Sequence, residues 1–245
     1  MLDTISKYTF ISLFKKKSYS LIVFFLLFNL LSYIYINTLS EHFVWEIFIG
    51  INLSFLSFLV FFFLVLWIYS EIGVDLKEKR IYLLLGRGIS KQKYFIGKIK
   101  GIFLTLSLNL LIIFLLLFFE SVVFDGLKLA FIYVFISYLL KFFVWISIIS
   151  GIFLVFSFIK GFFLSYFLFF YTVVLNISTN TQYIFLKKIS GFLIPDSNFY
   201  SEIIRAYISG KHIPFTYIIY ILIFSFLYSF LIINIFSYFF ERKEI

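Results

Sequence analysis

The chain of 245 residues contains no cysteine, only two histidines and two prolines, and few charged residues. The absence of cysteine excludes disulfides, thiolate metal sites and thiol nucleophiles. The histidines, His42 and His212, lie far apart in the sequence, so we expect no role for either, with a weak metal contact as the alternative. A catalytic site would need clustered histidines and carboxylates, or a paired serine and histidine, so an enzyme is the least favoured class.

Apolar residues dominate the composition. The chain is 63% hydrophobic and 25% aromatic, and only 13% of its residues are charged. Apolar runs of about 18 or more residues recur along the chain, and runs of that length predict transmembrane helices. Strands of a membrane barrel would alternate apolar and polar residues, whereas residues 58–66 are apolar at every position. The sequence therefore predicts an all-α, polytopic integral membrane protein that forms a single transmembrane domain over residues 1–245.

The apolar runs predict about six spans, connected by short polar segments. The fourth run is unusually long, and it predicts either one long tilted helix or a helix with an outer extension, with a turn at Lys160-Gly161. The predicted spans cover residues 19–36, 47–70, 99–119, part of 127–159, 162–176 and 215–239.

The basic residues orient the predicted spans. Eight of the 21 basic residues lie in the interval 71–100, and more of them cluster in the N-terminal segment 1–18. Cytoplasmic segments of membrane proteins carry such an excess of lysine and arginine. Both termini and the loop 71–98 are therefore expected in the cytoplasm, and the segment 177–214 on the outer face. The net charge of +9 then needs no nucleic-acid partner.

The loop 71–98 predicts a helix, a sharp turn and a second helix. The second span should continue as a helix through Leu85, and Gly86 and Gly88 should bracket the break. Ser90 is suited to cap the next helix. An apolar cluster at the elbow, residues 83–85, would suit the groove of a partner protein, although packing against the protein's own helices is an equal alternative. The basic residues are also explained by ordinary positive-inside charge.

The same loop resembles that of the ABC-2 type transporter permeases. In that family the loop after the second span commonly reads as a leucine pair, a small residue, any residue, Pro, Ile or Val, Ser and Arg, followed by Tyr and Gly-Lys. Here Gly88 stands where Pro is common, and Lys91 where Arg is common. The six-span layout, Pro195 in the outer segment and the ending 239–243 are also similar. The residues assigned to this loop are Glu78, Leu83, Leu84, Leu85, Gly86, Arg87, Gly88, Ile89, Ser90, Lys91, Tyr94, Gly97 and Lys98.

The resemblance implies a transmembrane subunit of an ATP-driven transporter, usually an exporter, in the inner membrane of a bacterium. Two permease subunits, identical or related, would pair with two separate ATPase subunits through the coupling loop 71–98. No phosphate-binding loop surrounds Gly97-Lys98, because Gln92 replaces the first glycine and Ile99 follows the lysine. ATP and Mg²⁺ are therefore expected on a partner ATPase, with no cofactor in this chain and lipid as its other partner.

Two polar residues within the predicted spans are candidates for a translocation path. Lys141 would be costly at the centre of a span, so it should face another helix, a carbonyl group or a wet path, unless it snorkels to the surface. Asn109 is the second candidate, with bonding between helices as the simpler role. Glu71 is expected to be a solvated residue at a helix end. A secondary transporter or channel that needs no ATPase is the alternative function. No acidic residue falls clearly within a predicted span, which disfavours proton coupling.

Overall fold

A computed structural model describes residues 2–16, 18–39, 45–124, 130–156, 158–177 and 197–242. Throughout these ranges the regular elements are helices, and no strand occurs. A helix satisfies the polar groups of its backbone within one segment, which is what a lipid environment requires. The predicted all-α class is therefore confirmed.

The described chain forms ten α-helices and one π-helical turn. Short helices surround the basic loop, and long ones make up the rest. In chain order they are α1 (Leu2–Lys16), α2 (Ser18–Leu39), α3 (Trp45–Ile68), the π-turn (Tyr69–Gly73), α4 (Val74–Lys77), α5 (Arg80–Leu85), α6 (Lys91–Phe124), α7 (Ala130–Val155), α8 (Phe158–Ile177), α9 (Ser197–Ile208) and α10 (Phe215–Arg242).

Five helices are long and apolar enough to cross a membrane, which indicates a multi-pass membrane protein by length and composition. They lie in α2, in α3 with its continuation to Lys77, and in α6, α7 and α10. The apolar part of α8, Ile159–Thr172, is shorter. The aromatic rings of α8 nevertheless contact both α3 and α7, because Phe169 packs on Phe61 and Trp145. The sixth span and the cytoplasmic placement of both termini stay predictions.

The long apolar run 127–159 does not stay in one helix to its end. Helix α7 ends at Val155 and α8 begins at Phe158, so Lys160 and Gly161 lie inside the first turns of α8 rather than at the turn itself. The residues between the two helices are Phe156 and Ser157, and a single serine within an apolar run is a weak signal of a helix end. The prediction from Lys160 therefore placed the turn a few residues too late in the chain.

Helix α7 lies at the centre of the bundle. In its most apolar stretch 78% of the residues are buried, against 28% for α2 and 22% for α10. Most of the buried core residues of α3, α6 and α7 form one continuous cluster, and Val144, Ile148 and Ile152 of α7 form a second one. Most side chains of α2 and α10 therefore face away from the bundle, and the exposed ones are mostly Leu, Ile and Phe.

Three segments gather at the same end of the bundle. Helix α1 packs closely on α6, where a Cβ added to Gly101 would lie 2.6 Å from the Cβ of Thr9. The Lys91 ammonium, at the start of α6, donates to the carbonyl oxygens of Phe240 and Glu241 at the end of α10, each at 3.3 Å. The N-terminal helix, the basic loop and the end of the last helix are thus neighbours.

Helix α9 lies at the opposite end. Its Ile208 is 3.5 Å from a Cβ built on Gly50, near the start of α3, and the Tyr200 carbonyl accepts a bond from Ser137 of α7. The Tyr200 hydroxyl bonds to Ser225 of α10 at 2.7 Å, and burial raises the pKa of Tyr200 to about 12. This helix forms part of the predicted outer segment 177–214. Pro195, with residues 178–196, and His42 lie outside the described residues.

Candidate functional site: a buried ion-pair cluster beneath a basic loop

The end of α3 changes its helical geometry at an acidic residue. A π-helical turn, Tyr69–Gly73, interrupts the path from α3 into α4 and carries Glu71, of which only 7% is exposed. Single π-turns inside α-helices are rare and frequently mark functional sites. The prediction that Glu71 is solvated at a helix end is wrong, because the helix continues past it and the side chain turns into the protein.

Glu71 and Asp75 together hold one buried lysine. The Lys98 ammonium lies 2.9 Å from Glu71 Oε2 and 2.9 Å from Asp75 Oδ2, and its own side chain is only 5% exposed. These charges come from two segments 27 positions apart, so the pairing joins the end of α3 to the start of α6. Two carboxylates and one ammonium give the three groups a formal charge of −1.

Two hydroxyl groups complete this ion-pair cluster. The Tyr94 hydroxyl donates to Asp75 Oδ2 at 2.9 Å, and the Ser12 hydroxyl donates to Glu71 Oε1 at 3.0 Å. Lys98 also lies 5.7 Å from the centre of the Tyr94 ring, within the range of a cation–π contact. The ion-pair cluster thus connects α1, the π-turn, α4 and α6 in one hydrogen-bonded group.

The ion-pair cluster was not predicted from the sequence, although the spacing of its residues forms a recognisable pattern there. Glu71 and Asp75 are four positions apart, and so are Tyr94 and Lys98. Residues four apart lie on the same face of a helix, so each pair presents two polar groups in one direction. Matching an acidic pair with a Tyr–Lys pair across the loop would have predicted the contact.

Tyr94 and Lys98 were assigned to the coupling loop, but both are buried, so neither can form part of a surface that contacts a partner protein.

The loop above the ion-pair cluster contains one more break than the sequence predicted. Helix α4 ends at Lys77, and Lys79 adopts a left-handed backbone with φ of 56° before α5 begins. The expected continuous helix through Leu85 is therefore wrong. The predicted turn after Leu85 is confirmed, because Gly88 has a positive φ of 78°. The predicted cap is also confirmed, since the Ser90 hydroxyl accepts the Lys93 backbone N–H at 3.3 Å.

Helix α5 presents one large apolar side chain to the outside. Leu83 is 71% exposed, whereas Ile81 is fully buried and Leu84 and Leu85 pack partly against the core. Buried neighbours fix the direction of this short helix, so the exposure of Leu83 follows from the packing of the adjacent residues.

The assigned loop residues fall into three groups by burial. Leu84, Leu85 and Lys91 are half-buried. At the surface lie Glu78, Leu83, Gly86, Arg87, Gly88 and Ser90. In the interior lie Ile89, Tyr94, Gly97 and Lys98.

The two predicted path residues lie in different surroundings. Asn109 is fully buried and its amide donates to the Thr105 carbonyl at 2.7 Å, within its own helix. Lys141 reaches across to α3, where it donates to the Ser57 hydroxyl at 3.3 Å. The two side chains thus bond to different partners, Thr105 for Asn109 and Ser57 for Lys141.

A third carboxylate also lies inside a long helix. Glu120 was expected in an outer turn, but α6 continues through it to Phe124, and Glu120 Oε2 accepts a bond from the Asn29 amide at 3.2 Å. Three carboxylates, those of Glu120, Glu71 and Asp75, therefore lie near the ends of helices that contain candidate spans. Within the described ranges, no three His, Asp or Glu side chains come together as a metal site.

No family model, no curated protein and no solved structure matches this chain. The contacts of the loop and of the ion-pair cluster are therefore the basis for inferring a function.

Proposed function

We propose that the chain is a membrane-spanning permease subunit of an ATP-driven ABC transporter, working as an exporter. The observation that carries the proposal is the loop 71–98, in which the short helix α5 holds Leu83 out of the protein on a strongly basic surface. An exposed leucine on a fixed helix suits an apolar groove of a partner protein. The ATPase is that partner, and it supplies the ATP and Mg²⁺ site.

The ion-pair cluster gives this loop a stiff connection to the spans. A force applied to α5 passes through α4 to Asp75 and Glu71, and from there through Lys98 to α6. Polar pairs buried in this way resist separation, because each charge that lost its partner would stay out of water. The loop and the helices that it joins would then move as one unit when the ATPase changes shape.

The proposed assembly contains two permease subunits, identical or related, and two ATPase subunits in a bacterial inner membrane. Six spans with both termini in the cytoplasm complete this arrangement, with α8 as the fifth span. The contact between Lys91 and the end of α10 supports it, because that contact keeps the C-terminal end beside the loop.

One observation favours a second candidate, a secondary transporter or channel that needs no ATPase. Glu71 is a buried carboxylate and Asp75 a half-buried one, both in a helix continuous with the second span, and a π-turn carries Glu71. Ion-coupled transporters place such groups at their coupling sites. In this chain, however, both carboxylates are held by Lys98, which makes them part of an internal ion pair.

The two candidates differ in what accompanies the purified chain. The chain would be purified from its native membrane in a mild detergent, and the accompanying proteins identified and assayed for ATP hydrolysis. A permease subunit should carry an ATP-hydrolysing protein in equal amount. The variant Leu83→Asp should lose it, whereas Ser209→Asp, at the opposite end of the bundle, should retain it. A chain that purifies alone, and that moves substrate in vesicles on an ion gradient without ATP, would support the second candidate.

A further inference from the structure

A positive charge without an acidic partner lies within the central helix. Lys141 is about 16 Å from the start of α7 at the usual rise per residue, which places it near the middle of a candidate span. Among the described residues no carboxylate lies within ion-pair distance of its ammonium, and its one hydrogen bond goes to Ser57. A charge at this depth is costly unless something compensates for it.

The hydrogen bonds beside Lys141 run in one direction. Lys141 donates to Ser57, the Ser57 hydroxyl donates to Tyr138 at 3.0 Å, and the Tyr138 hydroxyl donates to the Leu53 carbonyl. Each hydroxyl proton is therefore used in a bond that points away from the lysine. An ammonium has three N–H donors, so two of them are still available on the partly exposed side of Lys141.

Two buried aromatic rings lie beside this cation. The Lys141 ammonium lies 5.4 Å from the centre of the Phe142 ring and 5.8 Å from that of Tyr138. Phe58, next to Ser57 in the chain, is 44% exposed, and its ring is 6.5 Å from that of Phe169. The exposed ring of Phe58 is apolar surface next to Ser57 in the chain, and it is available to the apolar body of a ligand whose anion reaches Lys141.

We propose that Lys141, held in position by Ser57, binds the anionic group, a carboxylate or a phosphate, of an amphiphilic cargo. The anion would accept the two remaining Lys141 donors while the Ser57 hydroxyl keeps its bond to Tyr138. The headgroups of resting lipids stay at the membrane surface, so an anion meets Lys141 only when its carrier enters the bundle. This inference rests on the proposed transport function for calling the ligand a cargo, but binding itself needs only this chain.

Trp145 provides a local probe, because it lies one turn from Lys141 on α7. Replacing the other two tryptophans, Trp45→Phe and Trp67→Phe, leaves Trp145 as the single tryptophan, whose emission can be excited selectively over that of the tyrosines. The chain would be titrated in maltoside micelles with dibromostearic acid, with its uncharged methyl ester, and with a brominated phosphatidylglycerol. Bromine quenches tryptophan only at short range, so saturable quenching reports binding beside Trp145.

We expect an anionic probe to quench Trp145 saturably, with a half-saturation concentration at least about tenfold lower than that of the methyl ester. Lys141→Met should remove the difference, Lys141→Arg should keep it, and Ser57→Ala should weaken binding without abolishing it. Lys160→Met, which removes an exposed lysine at the start of α8, is the matched control and should behave like the parent.

The choice of probe identifies the source of the anion. Preference for the fatty acid indicates a carboxylate cargo, and preference for the phosphatidylglycerol indicates a phospholipid. Equal quenching by the methyl ester, or full preference retained in a Lys141→Met protein that elutes as a single folded species, would overturn the site. Failure of an ATPase to accompany the chain would refute the permease proposal and leave this binding result standing.

Discussion

Removal of the buried Lys98 tests whether the ion-pair cluster holds the loop to the spans. In Lys98→Met, Glu71 and Asp75 would face each other without a cation, with side chains only 8% and 14% exposed. Breaking a buried ion pair by removing one partner costs about 3–5 kcal/mol, because the remaining charge stays buried. We expect a loss of this size in the free energy of unfolding.

The assay is reversible unfolding in mild detergent micelles, followed by tryptophan fluorescence while a denaturing detergent is titrated. Lys93→Met is the matched control, since Lys93 is an exposed lysine on the same helix, and it should change the free energy of unfolding by less than about 0.5 kcal/mol. The triple variant Glu71→Gln, Asp75→Asn and Lys98→Met should recover most of the loss, because no unpaired charge remains. A Lys98→Met protein as stable as Lys93→Met would refute the reasoning.

Three further substitutions test separate contacts around the loop. Tyr94→Phe removes a hydrogen bond to a carboxylate, so it should lower the free energy of unfolding by about 1.5–3 kcal/mol in the same titration; no loss would show that the bond is absent. Gly101→Ala should separate α1 from α6 and make the N-terminal segment sensitive to protease, whereas Gly50→Ala, where the added Cβ meets only ordinary contacts, should not; equal resistance in both would contradict the packing. Gly88→Ala should cost about 1 kcal/mol, because its φ of 78° is strained for alanine; an unchanged midpoint would contradict that turn geometry.

The long helices could be predicted from the sequence because apolar length is a local property. Runs of Phe, Leu and Ile located all five long spans, and the glycines and Ser90 located the turn and the cap that follow α5. Each of these features depends on residues within a few positions of one another. The all-α class and the start of the second loop helix followed from them.

The ion-pair cluster could not be predicted from the local sequence, because it depends on contacts between segments that are distant in the chain. Glu71 was expected in water, since polar residues beside a span usually are, and only the π-turn together with Lys98 brings it inside. The break at Lys79 also lacks a local signal, because lysine rarely adopts a left-handed backbone. The end of α7 also had only a weak local signal, because the single residue Ser157 is polar within a long apolar run.

Site-specific cross-linking from α5 tests the central claim most directly. The chain has no natural cysteine, so Leu83→Cys creates a unique attachment point for a photoreactive cross-linker in native membranes, and Ser209→Cys creates the control at the other end of the bundle. The account predicts that the probe at position 83 captures an ATP-binding subunit of a transporter and that the probe at 209 does not. Cross-linking of position 83 only to lipid or to this chain itself, in membranes where the protein is active, would contradict the proposed coupling role of the loop.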